Sequence, residues 1–244
     1  MDQPLISIII PVYNASQTIE ASILSAINQT YLNREIIVID GGSDSKTIEQ
    51  IRKYQNKLAY FISEKDNGIY DAINKGIGKA QGEWIYILGA DDQLAAKNVL
   101  ELIFSIPLQS EKLVFGNVAQ TNISHSLIRE KHVSALNKSI IWRNTLHQQS
   151  VFYHRVLFYN FRFNTLYRVL ADYDLHLLLY QQHLTYRKVN LTIATCSAEG
   201  ISKNFNPALY KEELLIKKKR LGIIYYTLNI VWVWVKFLVK KMTS

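Results

Sequence analysis

The chain has one cysteine, Cys196, among 244 residues, so no intrachain disulfide can form. This suits a reducing compartment without requiring one. The sequence has no Cys/His cluster at zinc-ligand spacing, no internal repeat and no low-complexity linker. The first residues, Met1-Asp2-Gln3-Pro4, lack the basic region of a secretory signal. The apolar run Leu5–Ile10 is too short for a signal's hydrophobic segment before Pro11 ends it. A cytosolic body is expected. The uncharged stretch Leu221–Val235 falls short of the ~20 apolar residues that a spanning helix needs. What the chain does have is apolar content, 48% against 20% charged, which excludes disorder. Its length suits one large domain, or one domain with an appendage.

Acidic side chains are outnumbered, 20 against 28 Lys and Arg, for a formal charge of +8 and a pI near 9.4. Such a balance invites a nucleic-acid reading, but its location matters more than its sum. Residues 1–200 hold 19 basic and 18 acidic side chains, net +1, whereas residues 201–244 hold 9 and 2, net +7. A basic body that binds nucleic acid is disfavoured. The excess belongs to a tail that begins near Pro207.

Leu5-Ile6-Ser7-Ile8-Ile9-Ile10 is a β-branched run bounded by prolines, which predicts a buried strand. Ser16 is placed to cap a helix in which Ile19, Ile23 and Ile27 share a face. Glu35–Ile39 predicts a second strand, ending in Asp40-Gly41-Gly42-Ser43-Asp44. A helix through Ile48, Ile51 and Tyr54, a strand at Leu58–Ile62, a helix through Ile69, Ile73 and Ile77, and a strand at Trp84–Leu88 follow. Leu94–Phe104 predicts another helix. This alternation argues for βαβ units and a mostly parallel sheet. Ligands of such sheets bind at the carboxyl ends of the strands. Asn14, Asp40–Asp44, Glu64–Gly68 and Gly89–Asp92 all fall there, so a nucleotide or a charged small molecule is expected at that edge. Leu113–Val118 and Ala171–Gln181 predict a strand and a short helix. Residues 119–170 show little periodicity.

The acidic residues at these ends carry two readings each. Asp91-Asp92 is either a pair holding a hard divalent cation, completed by phosphate and water, or a cap of the helix that follows. Asp40 is either a ligand group, with Gly41-Gly42 admitting close approach, or a turn residue before a cap at Ser43 or Asp44. Asp71 and Lys75, at i and i+4, bind a ligand or form a surface ion pair. Asp172 and Asp174, flanking Tyr173, supply a general base or buried structural acids. His147 lies near an acceptor or is a hydrogen-bonded structural residue.

Together these segments resemble the family 2 glycosyltransferases, which have the GT-A fold, a Rossmann-like α/β architecture. The stretches that carry the likeness are Ser7–Asn14, Val38–Asp44, Glu64–Gly76 and Gly89-Ala90-Asp91-Asp92, the last similar to the family's DxD-type element. His147–Phe152, Ala171–Leu175 and Gly200-Ile201-Ser202 fit the acceptor half. The stretch Glu64–Gly76 looks like a subgroup associated with bacterial exopolysaccharide, capsule and O-antigen assembly. The resemblance implies a catalytic domain over 1–206, with a nucleotide-sugar half (1–105) and an acceptor half (106–206).

It also implies roles. Pro11, Tyr13 and Asn14 would line the nucleotide, and Asp40 would contact the base. Asp66 would lie on the base and ribose side, with Gly68, Asp71 and Lys75 nearby. Asp91 would bind ribose or metal, and Asp92 a Mg²⁺ or Mn²⁺ on the diphosphate. Asp172 would be the base of an inverting transfer from a nucleotide sugar, a UDP-sugar favoured, to a saccharide or polyprenyl-diphosphate-linked acceptor. His147, Gln148 and Asp174 would stand on the acceptor side. Gly41 departs from the pattern, since many relatives have an Asp there, and Ala171 replaces the Glu of the Glu-Asp motif. The Gln-x-x-Arg-Trp element of processive synthases is missing, so one sugar per encounter is expected. The rivals are a nucleotidyltransferase, although no glycine-rich basic phosphate loop follows the first strand, and an inactive membrane-peripheral binding protein.

In the tail (207–244), Lys217-Lys218-Lys219-Arg220 precede the uncharged run, and Lys236, Lys240 and Lys241 follow. On one helix, Gly222, Asn229, Lys236 and Lys240 share a stripe, and Leu221, Tyr225, Leu228, Trp232, Val235 and Val239 cluster on another side. The pattern suits a helix lying on an anionic membrane through 217–241, at the cytoplasmic face of the inner membrane. A helix docked on the body and a single span are the alternatives.

Overall fold

A computed structural model describes residues 3–121, 128–197, 207–230 and Trp232. Gly200-Ile201-Ser202 and the cations Lys236, Lys240 and Lys241 lie outside the described residues.

Every residue of β1 (Ile6–Val12) is buried. A strand apolar on both faces needs cover on both sides. It pairs in parallel with β2 (Arg34–Asp40) and with β4 (Trp84–Ile87), and β3 (Tyr60–Ser63) adds in parallel to β2. Successive side chains point to opposite faces. Ile9, Ile37 and Ile39 pack with Tyr70, Ile73 and Ile77 of α3 (Ile69–Lys79). Ile8, Ile10, Ile36 and Val38 pack with Ile19 and Ile23 of α1 (Ile19–Ile27) and with Ile51 of α2 (Ser45–Arg52). Each such buried side chain contributes roughly 1.5–3 kcal/mol, so β1 and β2 hold the loops at their carboxyl ends in place.

Two local expectations are corrected. Ser16 does not cap α1. Thr18 occupies the cap position without a side-chain hydrogen bond, and the carbonyl of Ala15 accepts from the N–H groups of Thr18 and Ile19. Leu94 does not begin a helix. Gln93–Leu94 form β5, antiparallel to β9 (Tyr186–Ser197), and α4 runs only from Val99 to Phe104. The competing strand partner lies far downstream, where no local pattern announces it, and Asp91-Asp92 therefore do not cap α4.

The weakly periodic region supplies the other half of the sheet. β6 (Leu113–Thr121) pairs with β7 (Ile128–His132), with β8 (Val151–His154) and with β9. Nine strands among the described residues form one mixed sheet, in the order β3-β2-β1-β4-β8-β6-β9-β5 with β7 on β6.

After α5 (Ala171–Gln181), the last long helix is α6 (Pro207–Leu221), packed against it. Helix stops at Gly222, where φ is +85°, and resumes over residues 223–230. Only glycine enters that region at no steric penalty, so the single amphipathic helix expected for the tail is broken there. Lys217, expected at a lipid surface, is fully buried instead and bonds Glu213, Asn229 and the carbonyl of Trp142. No helix among the described residues is long and apolar enough to cross a membrane.

Candidate active site

Asp40 closes β2 and is wholly buried. Its Oδ2 accepts from the N–H groups of Gly42 and Ser43, each at 3.0 Å, and from Ser63 Oγ at 2.7 Å. Its Oδ1 is buried without a partner among the described residues. An unsatisfied buried acceptor is costly, about 1–3 kcal/mol or more, so a donor on a ligand has a place there. Asn14, at a left-handed φ of 47°, ties the loop after β1 to the loop after β2. Its N–H donates to Ser43 Oγ at 2.8 Å, and its Oδ1 accepts from Asp44 N at 3.0 Å. Asp44 caps α2 through Thr47 N. Pro11 lies within β1 opposite Ile39, and Tyr13 leaves its ring 67% exposed beside the loop.

Asp66 Oδ1 accepts from the N–H of Gly68, the residue that precedes α3, at 2.9 Å. Its carboxylate also lies against Gly41: a Cβ there would sit 2.4 Å from Asp66 Oδ2. The departure at Gly41 thus has a physical reason, because Asp66 fills the space a side chain would need. Asp71 Oδ2 accepts from Asn67 N at 3.0 Å, and Lys75 bridges Glu64 at 2.8 Å and Asp71 at 3.6 Å. Asp71 and Lys75 are therefore an ion pair that clamps the loop onto α3.

Asp91 and Asp92 follow β4. Asp92 is 4% exposed, and its Oδ1 accepts from Ser197 N at 3.2 Å, with Cys196 and Gln149 also bonded to it. Burial and the charge of Asp91 hold its carboxyl well above the usual carboxylate range. A cation would relieve both effects. Among the described residues no group of three or more His, Cys, Asp or Glu gathers. The adjacent pair instead fits the way Mg²⁺ is bound, by one or two carboxylates with phosphate oxygens and water completing the shell.

Asp172 lies in the first turn of α5. Its Oδ2 accepts from Asn144 Nδ2 at 3.0 Å, Asn144 Oδ1 is 3.1 Å from His176 Nδ1, and His176 Nε2 is 2.7 Å from the Tyr153 hydroxyl. Burial holds the His176 imidazole down at about 3, so the ring is neutral. Asn144 Oδ1 only accepts, so Nδ1 carries the proton and Nε2 accepts from Tyr153. This chain ends with a fixed donor on Asp172. On the other oxygen, the Tyr70 hydroxyl donates to the carbonyl of Val169 at 2.7 Å and stands 3.2 Å from Asp172 Oδ1. Burial pushes the Asp172 carboxyl up to about 6, which suits a base working near neutral pH.

Asp174, expected on the acceptor side, is buried and ion-paired. It is two residues on, about 200° around the helix, and its carboxylate meets Lys219 at 3.0 Å and Arg220 at 2.5 Å. Two cations of α6 thus offset its charge. His147 lies 6.0 Å, ring to ring, from His132, and the Gln148 amide is enclosed beside Tyr153. Both border the Tyr153–His176 chain.

Ser63, Tyr70, Asn144, Tyr153, His176 and Ser197 are site residues that the sequence did not point to. Tyr70 stands inside the stretch that carried the resemblance. His176 had a signal of its own, an imidazole in an otherwise leucine-rich helix. The others are brought in by pairings between distant segments.

The model of the family described as "Glycosyl transferase family 2" matches residues 7–174. The chain belongs to that family. This family 2 glycosyltransferase is 31% identical to a PGL/p-HBAD biosynthesis glycosyltransferase of Mycobacterium tuberculosis, over 82% of this chain and 79% of the relative. It is also 31% identical to an uncharacterized glycosyltransferase of Haemophilus influenzae, over 93% and 94% of the two chains. Among solved structures it is similar to S. aureus TarS 1-349 in complex with UDP, with a TM-score of 0.71 at 19% identity. That match covers 88% of this chain and 65%, about two thirds, of the other. The likeness establishes the GT-A fold.

Proposed function

We propose that this enzyme is a non-processive, inverting glycosyltransferase. It moves a sugar from a nucleoside diphosphate sugar, a UDP-sugar favoured, to a lipid-linked saccharide in the assembly of a bacterial surface glycan. The observation that carries the reading is the state of Asp172, a carboxyl raised to about 6 by burial and held by a fixed donor. It accepts the proton of an acceptor hydroxyl. The acceptor oxygen forms its bond to the anomeric carbon as the bond to the diphosphate breaks, with inversion. Asp40 offers its unpaired Oδ1 to an N–H of the base, and Tyr13 offers an exposed ring for stacking on it. Asp66 faces the ribose. Asp92, with Asp91, would hold a Mg²⁺ or Mn²⁺, which would neutralise charge on the diphosphate. The mycobacterial relative, named for PGL/p-HBAD biosynthesis, supports a biosynthetic transfer.

The catalytic unit extends through α6, and the membrane-facing segment begins after Gly222. There Ile223, Ile224, Leu228 and Trp232 are exposed, and the basic residues 236–241 follow in the sequence. This combination suits the surface of an anionic bilayer at the cytoplasmic face.

A panel of nucleotide sugars, titrated with and without Mn²⁺, tests the donor reading. Metal-dependent binding of a UDP-sugar is the expected result, and no binding to any member would sink it. Pyrophosphate release from a nucleoside triphosphate and a sugar phosphate would point to nucleotidyl transfer instead.

A further inference from the structure

We propose that Glu212 of α6 is a positioning residue for Asp172, so that the C-terminal helix is a working part of the acceptor half. The inference rests on the reading of Asp172 as the base.

Glu212 is buried, 9% exposed. Its Oε1 accepts from Arg168 N at 2.6 Å, and its Oε2 accepts from Val169 N and Leu170 N, each at 3.1 Å. Leu170 is the cap residue of α5, and its side chain offers no hydrogen bond of its own. The free N–H groups at a helix start need acceptors, normally a Ser, Thr, Asp or Asn at the cap itself. Here a carboxylate from a distant helix takes the N–H of the cap residue Leu170 and those of the two residues before it, and its negative charge suits the positive end of α5. Asp172 lies in the turn that follows directly.

The grip reaches both oxygens of Asp172. The Val169 peptide is held on two sides, its N–H by Glu212 and its carbonyl by Tyr70, whose hydroxyl stands beside Asp172 Oδ1. On the other side, Lys217 of α6 donates to the carbonyl of Trp142 at 2.9 Å. Trp142 is two residues from Asn144, the donor to Asp172 Oδ2. Lys217 is itself fixed by Glu213 at 2.6 Å and Asn229 at 2.7 Å. The ion pairs from Lys219 and Arg220 to Asp174 lock α6 along α5. A base displaced by about 1 Å loses on the order of 10²-fold in rate, so this frame bears on turnover as well as on stability.

The test uses the full chain labelled with ¹³C at the aspartate carboxyls, and Asp172→Asn identifies the Asp172 signal. In Glu212→Gln the carbonyl of the amide faces only part of the N–H array, so the start of α5 loosens and Asp172 gains solvent. Its titration midpoint should fall toward the ordinary carboxylate range, with Glu212→Asp restoring part of the shift. Hydrolysis of UDP-glucose, UDP-galactose and UDP-N-acetylglucosamine in Mn²⁺ should slow about tenfold or more in kcat. KM and the affinity for UDP with Mn²⁺ should stay within about twofold of wild type, less than the tenfold that 1.4 kcal/mol represents. An unchanged midpoint in Glu212→Gln, or equal losses in kcat and UDP affinity, would overturn the inference. If Glu212→Gln does not fold, the midpoint in Glu212→Asp decides. A fully active Asp172→Asn would instead sink the base reading on which the inference stands.

Discussion

Gly41 and Asp66 share one space: a Cβ on Gly41 would lie 2.4 Å from Asp66 Oδ2 and 2.8 Å from its Cγ. Two loops from neighbouring parallel strands therefore meet only because one of them lacks a side chain. Gly41→Ala should displace Asp66 and free its contact with the N–H of Gly68. A loss of about tenfold in UDP affinity is expected, with a stability cost of ~1–3 kcal/mol for the overpacking. Isothermal titration with UDP and Mn²⁺, beside denaturant melts, measures both. Unchanged UDP affinity would remove Asp66 from the nucleotide site.

Asp92 ties stability to pH. Its folded carboxyl binds a proton more tightly than the unfolded one. Its contribution to stability is therefore fully present below the unfolded value of about 3.9 and lost as pH rises through the raised folded value. Metal-free protein should melt at a lower temperature at pH 8 than at pH 5.5, and Mn²⁺ should recover the difference at pH 8. Asp92→Asn should flatten that dependence, and Asp92→Ala should abolish transfer. Melts in buffers of constant ionic strength check the first part; a Mn²⁺ effect that survives in Asp92→Asn would place the ion elsewhere.

The rate should depend on Asp172 in the opposite sense. The base works when deprotonated, so kcat at saturating donor and metal should rise with pH through about 6 and then level off. Asp172→Asn should lower turnover by ~10²-fold or more while leaving donor binding intact. A profile flat from pH 5 to 8 would contradict this.

Asn144→Leu isolates the hydrogen-bond chain. It leaves Asp172 Oδ2 and His176 Nδ1 without their partner, a loss of about 1–3 kcal/mol in stability. Turnover should fall without a change in UDP affinity. His176→Asn should have a milder effect, since it acts one bond further away. Equal effects of the two on kcat would argue against a directed chain.

A truncation after Gly222 tests anchoring, at the loss of the Asn229 bond to the buried Lys217. Deleting residues 223–244 should release the protein from anionic vesicles and leave the pairs of Asp174 intact. Cutting at residue 217 would also remove Lys219 and Arg220, exposing the body to a buried, unpaired Asp174 at about 3–5 kcal/mol. Co-sedimentation and thermal melts on the two truncations check this. Vesicle binding that persists without residues 223–244 would move the anchor into the body.

The strands that carry the polar loops were legible because their signal is local. Ile6–Ile10, broken only by Ser7, and Ile36–Ile39 are β-branched runs, and Ile69, Ile73 and Ile77 repeat at the period of a helix. The acids at their ends could be named for the same reason. Gln93–Leu94 misled because a two-residue strand leaves no period to detect, and its partner Ala194–Thr195 lies on the far side of the chain. The tail misled because Gly222 looks tolerable within an amphipathic pattern, whereas its left-handed φ ends the helix there.

From its own order of residues, then, the chain determined the parallel strands of an α/β sheet with carboxylates at their ends, and a charge surplus confined to its last 44 residues. Local periodicity and strand-end position suffice for that. The tertiary structure decided which carboxylates are paired and which are poised. Asp174 is neutralised by two cations of α6, whereas the partners of Asp172 are uncharged: an amide, a shared hydroxyl and backbone N–H groups. The two lie two residues apart in one helix, so burial and partners from segments distant in sequence separate them, and no local pattern records those.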